Sequence, residues 1–372
     1  MRILLLSAYD AASHRYWREQ LVVQFPEHQF TVLTLPPRYF SWRIRGNPLS
    51  WLQSQASALE ARYDALIATS MVDLATLRGL EPRLAGIKTW LYCHENQFVF
   101  PLGSNARDSI EPSMVFLYSC LAASVIGFNS AFNRDSALQG MQELSRRLPE
   151  RIEASLIASI AAKSHVLPVP LLSVSAGQRG FENNPQGSPA IPAVLDIVWN
   201  HRWEYDKSPE RLLAFLRCLD ESSIPARVHV IGQQFRRQPP EFDDILRLLD
   251  SSESIVRGHY GYIPQRERYL RVLQRADIVL STALHDFQGL SVLEAVQQGC
   301  VPLVPDRLAY PEWFGVDFLY PSLENAQQEA EAMCAHLKDW LCCGLPRCPS
   351  LTSLEWPALR SAYAGCIDSL LP

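Results

Sequence analysis

One stretch of this chain, residues 277–306, constrains its fold more than any other. The apolar runs 277–281 and 301–304 predict two strands, and the residues between them predict a polar loop followed by a helix. Such a strand–helix–strand unit is typical of a parallel sheet, whose ligands bind beyond the carboxyl ends of the strands. The sequence therefore predicts an α/β fold with a binding site in the loop around Asp286 and Gly289.

Two carboxylates flank the start of this predicted helix. Asp286 and Glu294 are separated by seven residues, so one acid precedes the helix and the other lies about one turn inside it. Free amides and the helix dipole at Gly289 and Leu290 favour an anion such as a diphosphate. The sequence from Ser291 to Glu294 also fits a capping box, in which Glu294 would only satisfy a backbone amide.

Two basic residues are expected at the same edge of this sheet. Arg202 and Lys207 follow the predicted strand 194–199 and precede a predicted helix. Two cations beside an anion-binding helix start would neutralise a diphosphate and stabilise it as a leaving group. The alternative is a solvated loop in which Glu204 and Asp206 are their local partners.

Strand and helix signals alternate on both sides of a segment rich in proline and glycine. The predicted strands lie at 2–7, 30–33, 65–69, 88–93, 124–129, 194–199, 226–231, 277–281 and 301–304. The other predicted helices lie at 14–25, 131–139, 142–162, 209–219, 265–274 and 354–371. This alternation predicts two Rossmann-like, doubly wound domains that face each other across a cleft. We predict an N-terminal domain at 1–167, a linker at 168–192, a C-terminal domain at 193–345 and a helical tail at 346–372.

Polar side chains also follow a predicted strand of the first domain. His94, Glu95, Asn96 and Gln97 come directly after the strand at 88–93. A histidine at a strand end can donate a hydrogen bond to a sugar hydroxyl or a phosphate. A loop whose polar side chains bond one another is the alternative.

Two other strand ends carry candidate caps. Ser13 is positioned to cap the first helix, or the neighbouring His14 reaches the predicted cleft. Asn129 or Ser130 is positioned to cap the helix that follows the strand at 124–129, and capping is sufficient to explain them.

Residues 35–51 interleave basic and aromatic side chains, namely Arg38, Tyr39, Phe40, Trp42, Arg43, Arg45 and Trp51. Aromatic rings that stack on unpaired bases, with arginines on phosphates, suit a single-stranded RNA loop. Half-buried aromatics in an ordinary loop are the alternative. We take Arg43 and Arg45 as candidate acceptor contacts.

Composition limits the class of protein. A hydrophobic fraction of 48% and a charged fraction of 20% are typical of a soluble globular protein. No apolar run is long enough to span a bilayer, so we expect no stable membrane association and a cytoplasmic location. Nine cysteines in no common zinc spacing and the lack of an Asp-x-Asp triplet predict no metal site. A net charge of −5 argues against a strongly basic nucleic-acid binder, although a local patch would suffice.

Together these segments resemble the tRNA-queuosine α-mannosyltransferases, a family of retaining GT-B glycosyltransferases. The stretches that carry the resemblance are 13–14, 42–45, 73–79, 94–97, 129–133, 199–207 and 285–312, of which the last two are the most specific. Two positions depart from the family. Ala11 and Ala12 replace a glycine-rich first loop, and Asp286 stands where most of these enzymes have Glu.

The resemblance implies transfer of mannose from GDP-mannose to the cyclopentenediol of queuosine, at the wobble position of tRNA(Asp), with retention and without a cofactor. The implied catalytic residues are His94, Arg202, Lys207, Asp286 and Glu294. The implied donor-binding residues are Asn200, Arg202, Lys207, Gly232, Tyr262, Ile263, Asp286, Gly289, Leu290 and Glu294. The implied acceptor-binding residues are Ser13, His14, Arg43, Arg45, His94, Glu95, Asn96, Gln97 and Asn129.

Two other functions remain open at this point. One is a GT-B glycosyltransferase with another nucleotide sugar and a small-molecule or lipid acceptor. The other is a non-catalytic protein that binds a nucleotide or tRNA. The sequence does not set the sugar, the base or the oligomeric state, because Gly232, Tyr262 and Ile263 suit guanine and uracil equally.

Overall fold

The computed structural model describes residues 1–99, 109–173 and 192–371, and it divides into two compact units. The first unit comprises Met1–Pro170 and Leu354–Pro372, and the second comprises Leu171–Ser353. The sequence division set 346–372 apart as a tail, whereas in the structure the residues from Leu354 onward belong to the first unit. Most of the predicted linker, 174–191, lies outside the described residues.

A six-stranded parallel sheet forms the centre of the first unit. Its order is β2-β1-β3-β4-β5-β6. The strands are β1 (Arg2–Ser7), β2 (Gln29–Thr34), β3 (Ala65–Thr69), β4 (Thr89–Cys93), β5 (Val125–Phe128) and β6 (Ser164–Val166). The strand order reverses between β1 and β3, and such a switch point opens a crevice at the carboxyl ends of the two strands.

Eight helices pack around this sheet in the described part of the unit. They are α1 (Ala12–Gln24), α2 (Phe40–Ser54), α3 (Ala56–Leu59), α4 (Leu74–Leu80), α5 (Glu111–Ala122), α6 (Ala131–Arg147), α7 (Ala154–Ala162) and α14 (Trp356–Asp368). The last helix is held by Tyr363, whose buried hydroxyl donates to the Tyr92 hydroxyl at 3.1 Å and receives the Trp17 indole N–H at 3.0 Å.

Two predictions for this unit are wrong. The helix predicted at 142–162 is two helices, because Pro149 lacks an N–H and keeps Leu148 extended, so that α6 ends at Arg147. The loop predicted at 35–51 is mostly the helix α2, which continues through Pro48. There the side-chain amide of Asn47 donates to the carbonyls of Arg43 and Ile44, at 2.7 and 3.4 Å.

The second unit repeats this architecture. Its parallel sheet has the order β12-β11-β10-β7-β8-β9. The strands are β7 (Leu195–Trp199), β8 (Ala226–Ile231), β9 (Ile255–Gly261), β10 (Ile278–Leu280), β11 (Val301–Pro305) and β12 (Leu319–Tyr320). The helices are α8 (Pro209–Glu221), α9 (Glu241–Ser251), α10 (Arg266–Arg275), α11 (Leu290–Gln297), α12 (Tyr310–Trp313) and α13 (Ala326–Cys343). The strand order reverses between β7 and β10, so the loops after these two strands border the crevice of this sheet.

No helix in the described ranges is long and apolar enough to cross a bilayer.

Candidate functional site

Lys207 is the centre of a buried ion-pair network at the switch point of the second sheet. Its residue is 6% exposed, and its Nζ donates to the carbonyl of His285. The same Nζ lies 3.3 Å from the carboxylate of Asp206 and 3.5 Å from that of Asp286. Two carboxylates and a carbonyl compensate the cost of burying the ammonium. The loops after β7 and β10, predicted separately from the sequence, therefore meet through this side chain.

Asp286 closes the turn in front of α11. Its Oδ1 accepts the amide N–H of Gly289 at 2.9 Å. Burial alone would raise the pKa of Asp286, but the Lys207 ammonium and the Gly289 amide hold this pKa below its ordinary value. Gly289 has φ 76°, and a Cβ there would lie 2.8 Å from the Tyr310 ring, so glycine is required at this helix start.

Glu294 does not belong to a capping box. The helix α11 begins at Leu290 with Gly289 as its N-cap, so Ser291 lies inside the helix and that interpretation is wrong. The carboxylate of Glu294 instead pairs with the guanidinium of Arg266 on α10. Burial and the nearby Glu294 carboxylate both raise the pKa of the Tyr269 hydroxyl, which keeps this phenol protonated.

Asn200 links the loop after β7 to the surroundings of the Glu294 carboxylate. Its Nδ2 donates to the Ser291 carbonyl at 2.7 Å and to the Tyr269 hydroxyl at 3.2 Å. Its Oδ1 is buried and has no hydrogen-bond partner within residues 1–99, 109–173 and 192–371. A free acceptor thus lies close to Tyr269, and Tyr269 in turn interacts with Glu294. This combination suits a ligand that carries hydroxyl groups, such as a ribose.

Arg202 and Lys207 differ in their surroundings. The Arg202 side chain is half exposed, and its guanidinium pairs with the Glu204 carboxylate at 3.0 Å. This is the local pairing that the alternative interpretation of the loop expected. Burial raises the pKa of Glu204, although Arg202 opposes that effect. Lys207 is thus held by buried partners, whereas Arg202 remains accessible to a ligand.

His201 is a buried imidazole that the sequence did not single out. It is 2% exposed, its ring lies 5.0 Å from that of Trp199, and its Nε2 has no hydrogen-bond partner among the described residues. Burial, and next the Lys207 cation, lower the pKa of His201 to about 3, so the ring stays neutral. A Cβ at Gly232 would lie 1.7 Å from the His201 carbonyl oxygen, which excludes any other residue at the end of β8.

Tyr262 and Ile263 follow the end of β9 at the same edge of the second sheet. Tyr262 is 57% exposed, whereas Ile263 is buried. The loops after four strands, β7, β8, β9 and β10, thus bring candidate residues to the carboxyl edge of one sheet, which is the edge where ligands of parallel sheets bind.

The first unit has its own cluster of titratable groups at its sheet edge. The rings of His14 and His94 stack with centroids 4.1 Å apart. His14 Nε2 lies 3.0 Å from the Glu95 carboxylate, which also accepts the Ser70 hydroxyl at 2.9 Å. Burial, followed by the neighbouring His14, holds the pKa of His94 well below its ordinary value. The Nε2 of His94 is buried and without a hydrogen-bond partner in the described chain, so it is free for a ligand hydroxyl.

The polar residues around His94 mainly hold its loop. Asn96 donates to the carbonyl and side-chain oxygens of Asn133 at 3.1 and 3.0 Å, which matches the self-bonded alternative for this residue. Asn129 donates to the His94 carbonyl at 2.9 Å. Gln97 lies with its amide nitrogen 3.6 Å from the sulfur of Met71.

The candidate helix caps have different outcomes. Ser130 caps α6, because its hydroxyl accepts the Asn133 amide at 2.9 Å. Ser13 does not cap α1, whose N-cap is Ala11 without a side-chain hydrogen bond, and its side chain is exposed.

The two arginines of α2 are engaged with protein groups. Arg43 is buried and donates to the Ser50 hydroxyl at 3.3 Å. Arg45 pairs with the carboxylates of Asp73 at 2.7 Å and Glu111 at 3.4 Å. No group of three His, Cys, Asp or Glu side chains within the described residues is arranged to hold a metal ion.

Known proteins resemble this chain in sequence and in fold. The family described as tRNA-queuosine alpha-mannosyltransferase N-terminal matches residues 2–171. A Drosophila melanogaster tRNA-queuosine alpha-mannosyltransferase is 30% identical over 354 residues, which span 93% of this chain and 88% of that protein. Sucrose-phosphate synthase from Thermosynechococcus elongatus has a TM-score of 0.68 at 13% identity, over 100% of this chain and 99% of that one. An α,α-trehalose-phosphate synthase from Burkholderia xenovorans has a TM-score of 0.61 at 12% identity, over 99% of both chains. These solved structures are GT-B glycosyltransferases, so the predicted GT-B fold is confirmed.

Proposed function

Because the chain belongs to the tRNA-queuosine α-mannosyltransferase family and is a glycosyltransferase of GT-B fold, we propose its donor and acceptor as follows. It transfers mannose from GDP-mannose to a hydroxyl of the cyclopentenediol of queuosine in tRNA(Asp). The second unit binds the nucleotide sugar, and the first unit binds the acceptor. Action on tRNA supports a cytoplasmic location.

The observation that carries this proposal is the network of Lys207, Asp286 and Gly289 at the switch point of the second sheet. A diphosphate at the start of α11 would meet free backbone amides and the positive end of the helix dipole. The ammonium of Lys207 lies in the same loop cluster and adds a cation, and the exposed Arg202 adds another. These groups stabilise the charge that develops on the leaving diphosphate.

The neighbouring groups suit the rest of the donor. Glu294, Asn200 and Tyr269 offer acceptors and a donor to the ribose hydroxyls. The backbone at Gly289 and Leu290 and the carboxylate of Asp286 hold the hexose. Asp286 already pairs with the Lys207 ammonium and accepts the Gly289 amide N–H, so it holds these two groups in place as well as contacting the sugar.

The transfer itself needs no protein nucleophile. The bond between the anomeric carbon and the diphosphate oxygen breaks, and the acceptor hydroxyl oxygen bonds to the same face of that carbon. The proton of the acceptor hydroxyl passes to the departing diphosphate, so GDP leaves and configuration is retained. His94, neutral because its pKa is depressed by burial and by His14, donates to or accepts from a substrate hydroxyl at the edge of the first sheet.

The test uses purified protein, radiolabelled GDP-mannose and tRNA(Asp) that carries queuosine. We expect label on this RNA and none on the same tRNA with guanine at the wobble position. Labelled GDP-glucose and UDP-glucose are the donor controls, and each should give little transfer. Transfer only from another nucleotide sugar would overturn the donor assignment. Binding of both substrates without label on the RNA would favour a non-catalytic protein.

A further inference from the structure

The first turn of α2 exposes three aromatic rings in a short stretch of sequence. Tyr39 is 70% exposed, Trp42 is 51% exposed and Phe40 is 44% exposed. Arg43 and Arg45, which the sequence offered as RNA contacts, are instead buried or paired with carboxylates. A cluster of exposed aromatic rings on a soluble unit is typical of an interaction surface.

Trp42 is held in one orientation by a glycine. A Cβ at Gly46 would lie 2.3 Å from the indole ring, so the ring occupies the space that any other residue would fill. Glycine inside a helix costs about 1 kcal/mol relative to alanine. A fixed position of the indole ring explains this cost. Only glycine at position 46 leaves room for the Trp42 ring to lie against the helix backbone while half of the tryptophan stays exposed.

Tyr39 has an unusual backbone. Its φ of 57° and ψ of 56° are left-handed, a conformation that costs a residue with a Cβ about 1 kcal/mol. Burial does not compensate this strain, because the ring is mostly exposed. The Arg38 guanidinium lies 5.5 Å from the ring centre, which brings a cation to the same surface. Strain of this kind is concentrated at binding sites.

The aromatic residues lie at the edge of the first sheet that carries the imidazole cluster. The helix α2 follows the carboxyl end of β2, and the Phe40 ring meets the Tyr9 ring edge-on at 6.2 Å. Tyr9 belongs to the loop between β1 and α1, and α1 carries His14. A ligand at His14 and His94 would therefore lie at the same sheet edge as this surface.

We infer that Tyr39, Phe40 and Trp42, together with Arg38, form a stacking platform for unpaired bases of an RNA loop. Flat rings stack on any base, and an adjacent guanidinium binds phosphate or stacks in turn. The inference rests on the proposed function, because it places bases next to the modified nucleoside on this platform. It assigns RNA recognition to the exposed aromatic residues instead of to Arg43 and Arg45.

The test measures binding of a fluorescently labelled anticodon stem-loop by anisotropy, with the full chain and without donor. Stacking contributes about 1–3 kcal/mol per base, so Trp42→Ala should raise Kd roughly 5- to 150-fold. Trp42→Phe should keep most of the affinity, whereas Trp42→Leu, which is apolar but not flat, should lose it. The matched control is Tyr118→Ala, which removes another exposed aromatic of the first unit and should leave Kd unchanged.

Gly46→Ala is the second variant, because it keeps Trp42 but displaces the indole. Its Kd for the stem-loop should rise, while its Kd for a fully paired duplex of equal length and for GDP-mannose should not. Arg38→Gln should reduce the slope of log K against log salt by about 0.7. Wild-type affinity in both Trp42→Ala and Gly46→Ala would overturn the platform. Rescue by Trp42→Leu would overturn it in favour of a protein or lipid partner.

The two proposals fail in different ways. Binding of the stem-loop that depends on Trp42, without mannose transfer by the wild-type protein, would refute the proposed function and leave the platform standing. Mannose transfer with an unchanged KM for tRNA in Trp42→Ala would refute the platform alone.

Discussion

Replacing Lys207 by Met removes one charge from the second unit and keeps nearly the same side-chain length. In the wild type the ammonium compensates the carboxylates of Asp206 and Asp286, at 3.3 and 3.5 Å. Breaking a buried ion pair from one side costs about 3–5 kcal/mol, because the other charge stays buried without a partner. We therefore expect Lys207→Met to lower the free energy of unfolding of this unit by about 3 kcal/mol or more.

The pH dependence of this loss identifies its cause. In the wild type the pKa of Asp286 is held below its ordinary value, so the carboxylate contributes stability that is complete above about pH 4 and lost as pH falls through the folded pKa. In the variant, burial acts without the ammonium and raises that pKa. The deficit relative to wild type should therefore be largest at neutral pH and should shrink as pH falls towards 4.

Two assays separate stability from catalysis in Lys207→Met. Hydrogen exchange of peptides from β7 and α11 reports the stability of the second unit. Turnover at saturating donor, at a temperature where the variant is folded, should fall about 10²- to 10³-fold, as when one preorganised donor to a developing charge is removed. Lys338→Met, at an exposed position of the same unit, is the control. Wild-type stability and turnover in Lys207→Met would refute the role of this network.

Three further changes have defined outcomes. Glu294→Gln should raise the KM for the donor about tenfold with little effect on stability. The exposed control Glu331→Gln should leave this KM unchanged, and equal KM values in the two variants would remove Glu294 from the donor site. Gly232→Ala should weaken donor binding and lower stability, because its Cβ would collide with the His201 carbonyl. The control Gly315→Ala, whose Cβ has nothing within 4 Å, should bind the donor normally. Between pH 6.5 and 5 the wild type should lose about 1.6 kcal/mol of stability through His201. This imidazole stays neutral in the folded state, at a pKa of about 3, while the unfolded chain takes up a proton. His201→Asn should lose less over the same range in urea unfolding, and an identical slope would contradict that pKa.

The parallel sheets could be predicted from sequence because their central strands are short apolar runs with polar ends. The ranges predicted for β1, β3 and β8 coincide with those observed. Helix ends were harder to predict, since α6 ends before Pro149 although the apolar periodicity continues beyond it. The helix α2 was missed because Gly46 and Pro48 are typical of loops. The tertiary hydrogen bonds of Asn47 with the Met71 carbonyl and the Asp73 amide, which hold this helix in the folded unit, leave no signal in the sequence.

The spacing of Lys207, Asp286 and Glu294 predicted which segments come together, because loops after adjacent parallel strands share one edge. It did not predict the partners that these side chains have. His201 carries no motif of its own, and its depressed pKa follows from burial beside Lys207. Tyr269 and Arg266 lie on a helix whose contact with α11 is a property of the folded unit.

Mass spectrometry of nucleosides from tRNA(Asp), after incubation with the protein and GDP-mannose, tests the central claim most directly. We expect queuosine to be converted to a species heavier by one hexose, and no such species with Lys207→Met. Unmodified queuosine in the presence of intact, folded protein and intact GDP-mannose would contradict the proposed donor and acceptor.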